Sequence, residues 1–334
     1  MNDHQTHFHP EPLSSEESLR LYLLMYQARK AEEAIMAHYH TDQMKTPMHM
    51  SMGQEAGVAG VIAALQGRGD VFSTYRSHAT FLCQTEDLDP FFAEMYGKKT
   101  GTAEGRSGSM HLAFPEKGHH LSSAIVSSCL PVAVGASYAN KLLQNDRMSV
   151  VFFGDGAMDE GVFWESMNAA CVFKVPMLFV CEDNGLAVHT GKSQRHGYKS
   201  IDDIVKAFDC LSYTDETNNV ESIYQRTKQA VKESYALMKP AFLRIQCHRY
   251  LEHVGINEDW EAGYRSRPFY SWWYENDSLK MQRQKLTTVG FEENFLQSQE
   301  QHIQDRIEKA IQKAEKADFC SVERLYAGVF YEKN

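Results

Sequence analysis

The middle of the sequence contains two short apolar segments separated by a helical pattern. Residues 149–153 and 177–181 are almost wholly apolar, and 159–173 between them has apolar residues at helical spacing. Strands that are apolar on both faces are typical of a parallel sheet covered by helices on each side. The alternation returns in a helical pattern over 220–238 and an apolar segment over 241–246. The sequence therefore predicts an α/β fold with a doubly wound, mostly parallel sheet.

Capping patterns predict where the first and last helices begin. Ser14 and Glu17 have the spacing of a capping box and precede a helical pattern that runs to residue 39. Ser298 and Gln301 repeat that spacing, so we predict that a last helix begins there and runs to residue 316. Other helical patterns cover 56–65 and 90–96, and a long polar loop of the kind that often carries function covers 97–108.

No segment rich in proline or serine divides the chain into independent parts. We expect a disordered tail at 1–13, followed by a single domain over 14–334 that ends in a helical extension. The tail contains His4, His7 and His9, which we interpret as solvated residues rather than metal ligands.

Charge and cysteine content restrict the class of protein. Lysine and arginine total 34 against 44 acidic residues, and the net charge of −10 argues against sequence-independent binding to nucleic acid or to an anionic membrane. The 7 cysteines are scattered without a CxxC pair, which indicates reduced thiols. No apolar run is as long as a membrane span, and the N-terminal segment lacks the apolar core of a signal peptide. We therefore expect a cytoplasmic protein.

Glycine and polar residues follow both apolar strands of the central unit. Gly154-Asp155-Gly156 follows the first strand, and Asn184 follows the second. The carboxyl ends of parallel strands lie at the same edge of a sheet, where ligands of such folds bind. Carboxylate and amide oxygens suit magnesium, which takes one or two protein ligands together with substrate phosphates. A lone GDG would also be explained as a strand-to-helix turn in which a polar residue caps the helix.

The longer stretch GDGAMDEGVFWESMNAACVFKVPMLFVCEDN resembles the thiamine diphosphate motif, which begins with GDG and ends in Asn. The resemblance implies a thiamine-diphosphate-binding fold and a magnesium ion held by Asp155, Asn184 and the backbone carbonyl of Leu186. It also implies that Gly154, Asp155, Gly156, Ala157 and Asn184 contact the cofactor and that Glu165 lies near it.

Other segments resemble the alpha subunits of pyruvate, branched-chain 2-oxo acid and acetoin dehydrogenases. These segments are HxxxGQEA beginning at His49, YRxH beginning at Tyr75, a GxGGSMH-like segment ending at His111, the stretch around Val126, and RYxxH ending at His253. By this resemblance Tyr75, Arg76, Val126 and His253 contact the cofactor. His49, His111 and His253 are candidate catalytic residues, with His253 as a proton donor or acyl-transfer residue.

The sequence departs from the family pattern at two places. Ser127–Cys129 replaces the common small-residue and glutamine pattern, so that part of the pocket wall departs from the family. Val254 stands where a serine commonly follows His253, which excludes phosphorylation at this position. Glu252 would either pair with His253 and raise its pKa or remain solvated, and the sequence does not decide.

The resemblance implies an oxidoreductase subunit that needs a partner. In the resembled family a separate beta subunit supplies the glutamate that activates the cofactor, so we expect an α₂β₂ heterotetramer that decarboxylates a 2-oxo acid such as pyruvate. A lipoyl acyltransferase would then receive the acyl group. Two alternatives remain open: an acetoin-cleaving or transketolase-like thiamine enzyme of a biosynthetic pathway, and a catalytically silent scaffold subunit.

Overall fold

The structure is a computed structural model that describes residues 12–328, apart from the side chains of residues 268 and 269. The predicted tail at 1–13 falls almost entirely outside this range, and so do His4, His7 and His9. No helix within 12–328 is long and apolar enough to cross a membrane. All seven cysteines are free thiols.

Six parallel strands form the central sheet, and two very short antiparallel strands form a hairpin beside it. The strands are β1 (Gly69–Thr74), β2 (His119–Ser123), β3 (Met148–Gly154), β4 (Met177–Asp183), β5 (Leu186–Ala187), β6 (Thr190–Gly191), β7 (Leu211–Asp215) and β8 (Ala241–Gln246). The sheet order is β2-β1-β3-β4-β8-β7, and β5 pairs with β6. The predicted parallel α/β sheet is confirmed.

Twelve α-helices surround the sheet within the described residues. They are α1 (Ser15–Tyr39), α2 (Glu55–Ala64), α3 (His78–Thr85), α4 (Leu88–Met95), α5 (Cys129–Leu143), α6 (Gly161–Phe173), α7 (Lys192–Arg195), α8 (Ile201–Val205), α9 (Val220–Leu237), α10 (Ser271–Glu275), α11 (Ser278–Thr288) and α12 (Glu293–Lys316). Ser14 caps α1 and forms the predicted capping box with Glu17.

Alternate residues of β3 pack on opposite faces of the sheet. Val150 and Phe152 belong to a core cluster with residues of α1, α2 and α9. Val151 and Phe153 belong to a second cluster with residues of α5 and α6. Because both faces are covered, the residues in the middle of β3 and β4 are apolar on both sides of the sheet.

The predicted start of the last helix is wrong. The helix α12 begins at Glu293, so Ser298 and Gln301 lie within it rather than at its start. Leu296 is fully buried on α12 upstream of Ser298, together with Ile303 and Ile307 further along the same face. The amphipathic face therefore extends upstream of the capping pattern, and tertiary burial rather than the cap sets the first turn.

Candidate functional site

The carboxyl ends of four parallel strands bring most of the predicted site residues to one edge of the sheet. Tyr75 and Arg76 follow β1, Asp155 follows β3, Asn184 follows β4, and His253 lies on the loop that follows β8. In the register of β3 and β4, Gly154 pairs with Glu182, so the residues after both strands emerge side by side. This placement follows from the parallel topology alone.

Asp155 is fully buried, and its two carboxylate oxygens have different surroundings. Oδ2 accepts a hydrogen bond from Nη2 of Arg195 at 2.5 Å. No hydrogen bond from any described residue reaches Oδ1, although this oxygen is buried. Burial raises the pKa of Asp155 to about 6, the nearby Asp183 carboxylate adds to the rise, and Arg195 opposes it. A cation bound at Oδ1 would satisfy the free oxygen and stabilise the carboxylate.

Asn184 has its side-chain amide held from both sides. Its Nδ2 donates to Oε1 of Gln54 at 3.5 Å, and its Oδ1 accepts from the backbone N–H of Leu186 at 3.1 Å. Nε2 of Gln54 donates in turn to Oε1 of the buried Glu182 at 3.1 Å. This chain of contacts keeps the amide oxygen beside the turn that carries Leu186. Metal ligands are commonly oriented by such neighbours.

The turn after β3 has no room for a larger residue at Gly156. A Cβ atom there would lie 2.8 Å from Cβ of Ala187, on the short strand β5. Ser127 fixes the same turn from the other side, because its hydroxyl donates to the backbone carbonyl of Ala157 at 2.8 Å. Ser127, one of the departures from the family pattern, therefore ties the loop that contains Val126 to the turn after Gly156.

Two arginines are buried at this edge without a carboxylate partner among the described residues. Arg76 donates to the backbone carbonyls of Met50 at 2.6 Å and His253 at 2.9 Å. Arg249 is 1% exposed and donates to the carbonyl of Leu251 and the hydroxyl of Tyr264. Burial lowers the pKa of Arg76 to about 10, and the positive charge of Arg249 adds to this. An anion such as a diphosphate would stabilise both guanidinium groups.

His49, Tyr75 and His253 form a cluster of rings next to Arg76. The His49 and Tyr75 rings lie 4.5 Å apart, and the two histidine rings lie 5.3 Å apart. Burial first, and then the charge of Arg76, lowers the pKa of His49 to about 3 and that of His253 to about 4. Both imidazoles are therefore neutral at pH 7 in the absence of a bound anion.

Glu252 does not pair with His253. Its Oε1 accepts hydrogen bonds from the backbone N–H and the side-chain amide of Asn257, each at 3.0 Å. The sequence left open whether Glu252 pairs with His253 and raises its pKa, and this possibility is wrong. Glu252 bonds within its own loop, and the pKa of His253 is lowered. Val254, which follows, is exposed.

Gly53 joins the His49 segment to the loop after β8. Its φ is 92°, and a Cβ atom there would lie 2.2 Å from the backbone carbonyl oxygen of His248. Only glycine fits such a conformation at such a distance. The glycine of GQEA therefore allows the segments that carry His49 and His253 to touch.

His111 lies apart from the ring cluster. It ends the short 3-10 helix Ser109–His111 and is exposed. Within residues 12–328, no hydrogen bond or ring contact joins it to His49, Arg76 or His253. The chain alone therefore does not assemble the three predicted catalytic histidines into one group.

A buried chain of polar groups supports the 3-10 helix. Nδ1 of His78 lies 2.9 Å from Oε1 of Glu32, and Nε2 lies 2.6 Å from the hydroxyl of Ser109. The order of groups is that of a serine hydrolase triad, but Glu32, His78 and Ser109 are all buried. Since no substrate reaches the hydroxyl, the chain is structural and fixes the residues next to His111.

Glu94 organises the polar loop over 97–108, for which the sequence indicated a functional role. Its two carboxylate oxygens accept hydrogen bonds from the backbone N–H groups of Ala103, Gly105, Ser107 and Gly108, at 2.8 to 3.0 Å. The loop is therefore held from inside the fold by one buried carboxylate. The sequence offered no local pattern that would have identified Glu94.

Glu165 lies on an exposed groove between α5 and α6. The groove has a volume of about 410 Å³ and is mostly apolar, with Pro131, Gly135, Tyr138 and Phe173 among its lining residues. Neither the arginines nor the histidines of the sheet edge line it. Glu165 is thus separate from the buried part of the site in the isolated chain.

Comparison with known proteins agrees with this architecture. Residues 24–323 match the family model described as the dehydrogenase E1 component. The chain is 29% identical over 331 residues to the alpha subunit of acetoin:2,6-dichlorophenolindophenol oxidoreductase from Bacillus subtilis, covering 96% of each chain. It is also 29% identical over 320 residues to the alpha subunit of the pyruvate dehydrogenase E1 component from Zymomonas mobilis, covering 95% of this chain and 90% of that one. The two relatives are alpha subunits, and the chain belongs to the family of dehydrogenase E1 components.

Proposed function

We propose that this chain is the alpha subunit of a thiamine-diphosphate-dependent enzyme that acts on a 2-oxo acid or an acyloin, and that it holds the magnesium-diphosphate end of the cofactor. The observation that carries the proposal is the free oxygen Oδ1 of buried Asp155, at the same sheet edge as the amide of Asn184. A divalent cation is the partner that this oxygen lacks.

The residues around Asp155 fit the cofactor's diphosphate. Asp155, Asn184 and the backbone carbonyl of Leu186 are the proposed magnesium ligands, and Gly154 to Ala157 form a turn that a diphosphate can approach closely.

Tyr75 and Arg76 would contact the diphosphate, and Val126 would contact the ring portion of the cofactor. We add Arg249 to this set, because it is a second buried guanidinium without a carboxylate partner in the described chain.

When bound, thiamine diphosphate supplies the carbon nucleophile and the electron sink for the cleavage of a bond next to a carbonyl group. His253 and His49, neutral at pH 7, can each hold a proton on one ring nitrogen and accept a proton on the other. The diphosphate charge would offset Arg76 and raise the pKa of His253, which suits this histidine to proton exchange with the substrate. His111 would join this group only when a partner chain closes the site.

An exposed apolar surface supports the need for a beta subunit. Val132 and Leu142 on α5 and Val172 and Phe173 on α6 are between 46% and 66% exposed. Large apolar residues exposed on two packed helices are typical of a protein interface. The groove that contains Glu165 lies in the same surface, so a second chain packed there would also close the groove. We propose an α₂β₂ heterotetramer as the active form.

The substrate has two candidates. A 2-oxo acid such as pyruvate, with a lipoyl acyltransferase as the acceptor of the acyl group, agrees with the relative from Zymomonas mobilis. Acetoin agrees with the relatives from Bacillus subtilis and Cupriavidus necator, both alpha subunits of acetoin:2,6-dichlorophenolindophenol oxidoreductase.

Coexpression with a candidate beta chain, followed by an assay of 2,6-dichlorophenolindophenol reduction with pyruvate or acetoin as substrate, separates the two candidates. Full activity of the chain alone would contradict the need for a partner.

Calorimetry with thiamine diphosphate and MgCl₂ tests the cofactor proposal. Asp155→Ala should abolish measurable magnesium-dependent binding while the thermal unfolding temperature stays close to that of the wild type. Asp203→Ala, a change of an exposed acid on α8, is the matched control and should bind normally. Absence of binding to the wild-type assembly would favour the silent scaffold instead.

A further inference from the structure

We propose that Arg195 is a positioning residue that restricts Asp155 to binding a cation through one oxygen, and that it thereby sets the preference of the site for magnesium over calcium. This inference rests on the proposed function, because it concerns the same cation. It goes beyond that function in assigning a role to a residue on α7, outside every motif recognised in the sequence.

The guanidinium of Arg195 is anchored on three sides. Its Nη2 donates to Oδ2 of Asp155 at 2.5 Å, its Nη1 donates to Oδ2 of Asp159, and its Nε donates to the backbone carbonyl of Thr190 at 3.1 Å. The Arg195 side chain is 8% exposed. His196 closes the group, since its Nε2 lies 3.3 Å from Oδ1 of Asp159. Arginine's planar fork suits such bridging, whereas lysine could satisfy only one of these partners well.

The contact divides the two oxygens of Asp155 between two tasks. Oδ2 is held by Arg195, and Oδ1 is the oxygen that no described residue reaches. A cation can therefore bind Oδ1 freely, whereas binding through both oxygens would bring it close to the positive guanidinium that already donates to Oδ2. The geometry therefore allows the Asp155 carboxylate to bind a cation through one oxygen and disfavours binding through both oxygens.

The carboxylate of the neighbouring Asp183 has different surroundings from that of Asp155. Its Oδ2 is 2.5 Å from the ammonium of Lys192 and 3.4 Å from the guanidinium of Arg244, and its Oδ1 accepts from the backbone N–H of Gly185 at 3.2 Å. Both of its oxygens are thus already engaged. Of the two carboxylates that follow β3 and end β4, only Asp155 keeps an oxygen for a cation.

The mode of carboxylate binding bears directly on the choice of ion. Magnesium requires a nearly octahedral shell of six ligands, and a carboxylate that binds through both oxygens distorts such a shell. Calcium accepts six to eight oxygens in flexible geometry and readily binds a carboxylate through both oxygens. Holding Oδ2 away from the ion therefore favours magnesium, while releasing it removes that advantage.

The test compares magnesium and calcium in the same assembly. Dissociation constants are measured by calorimetry for the wild type, Arg195→Met and Arg195→Lys, with the full chain in its complex, saturating thiamine diphosphate and either MgCl₂ or CaCl₂. Loss of the arginine charge affects both divalent ions alike, so it cancels in the ratio of the two constants. A general loss of structure would also weaken both ions together. The ratio therefore isolates the positioning role.

We expect Arg195→Met to reduce the preference for magnesium over calcium by about tenfold, within the range that loss of a ligand-orienting neighbour causes. Arg195→Lys should retain part of the preference, and Asp159→Asn, which removes the second anchor of Arg195, should shift the ratio in the same direction by less. Arg68→Met is the matched control. Its ion pair with Asp146 is exposed and lies just before β1, at the opposite edge of the sheet.

An unchanged ratio in Arg195→Met, with both ions still bound, would overturn the inference and leave the cofactor proposal intact. Failure of the wild-type complex to bind thiamine diphosphate with either ion would instead contradict the cofactor proposal. If Arg195→Met does not fold, the Arg195→Lys and Asp159→Asn ratios decide, since an unchanged ratio in both would equally overturn the inference.

Discussion

The guanidinium of Arg76 lies against His253: one of its nitrogens is 2.9 Å from the backbone carbonyl of His253 and 3.4 Å from Nδ1 of its ring. Arg76 follows β1 and His253 follows β8, so the contact joins loops from two separate strands of the sheet. It places a cation next to a neutral imidazole at the position where the diphosphate is proposed to bind.

Replacement of Arg76 by methionine should weaken the binding of thiamine diphosphate by about 10- to 100-fold, the cost of losing a charge-assisted hydrogen bond to a phosphate. The pKa of His253 should rise towards its ordinary value, because Arg76 is the second contributor after burial to its lowering. Calorimetry measures the affinity, and NMR titration of labelled histidine measures the pKa. Arg76→Lys keeps the charge and should give intermediate values. Unchanged affinity in Arg76→Met would show that the diphosphate lies elsewhere.

Gln54 connects Glu182 to Asn184, and Gln54→Ala should release the Asn184 amide. Because orientation of a metal ligand typically accounts for 10- to 100-fold in metal affinity, we expect a loss of about that size for magnesium. Gln84→Ala is the control, since Gln84 donates a hydrogen bond to the carbonyl of Lys117 far from the site. Equal magnesium affinities for the two variants would mean that Gln54 does not orient Asn184.

Glu94→Ala should destabilise the protein by about 2 to 4 kcal/mol, because it leaves several backbone N–H groups of the 97–108 loop without an acceptor. Urea unfolding measures the loss, and limited proteolysis should reveal new cleavage within that loop. Replacement of Glu116, an exposed acid in the short 3-10 helix Pro115–Lys117, should cause neither effect. A loop that stays resistant in Glu94→Ala would contradict the role given to this carboxylate.

His119 makes the stability depend on pH. Burial, and then the neighbouring His120, lowers its pKa from 6.5 to about 3 in the folded chain. The unfolded chain binds a proton at His119 near pH 6.5, and the folded chain does not. The stability that depends on neutral His119 is therefore complete above pH 6.5 and is lost as the pH falls towards 3. Between pH 6.5 and pH 5 the titration of His119 lowers the free energy of unfolding by about 2 kcal/mol.

The variant His119→Gln should therefore lose less stability than the wild type between pH 6.5 and pH 5, as measured by urea unfolding at each pH. His49 and His248, whose pKa values burial also lowers to about 3, act in the same direction in both proteins and cancel in the comparison. Identical pH dependences of the two proteins would show that His119 is not held neutral in the fold.

The sequence predicted β3, β4 and β8, whereas β1, β2 and β7 were not predicted. The strands β3, β4 and β8 are apolar on both faces because helices cover both sides, and such segments are recognisable in isolation. The edge strands β2 and β7 read HHLSS and LSYTD, and β1 has only Val71 and Phe72 as large apolar residues. Those three strands depend on neighbours that the local sequence does not reveal.

The same distinction applies to the site. The placement of Asp155 and Asn184 at one edge of the sheet was predictable, because they follow parallel strands whose carboxyl ends lie together. Arg195, Gln54 and Glu94 were not assigned roles, since each acts through a partner that is distant in sequence or outside any motif: Arg195 contacts Asp155, and Gln54 contacts Glu182. Residues that hold a site in place leave a weaker local pattern than the residues they hold.

The central claim is that Asp155 and Asn184 bind one divalent cation, which in turn holds a diphosphate. The most direct measurement is a crystal structure of the assembled enzyme with thiamine diphosphate and MnCl₂, in which manganese is located by its anomalous scattering. We predict a single strong peak within bonding distance of Oδ1 of Asp155 and Oδ1 of Asn184. A peak elsewhere, or a cofactor bound with no metal between these two side chains, would contradict it.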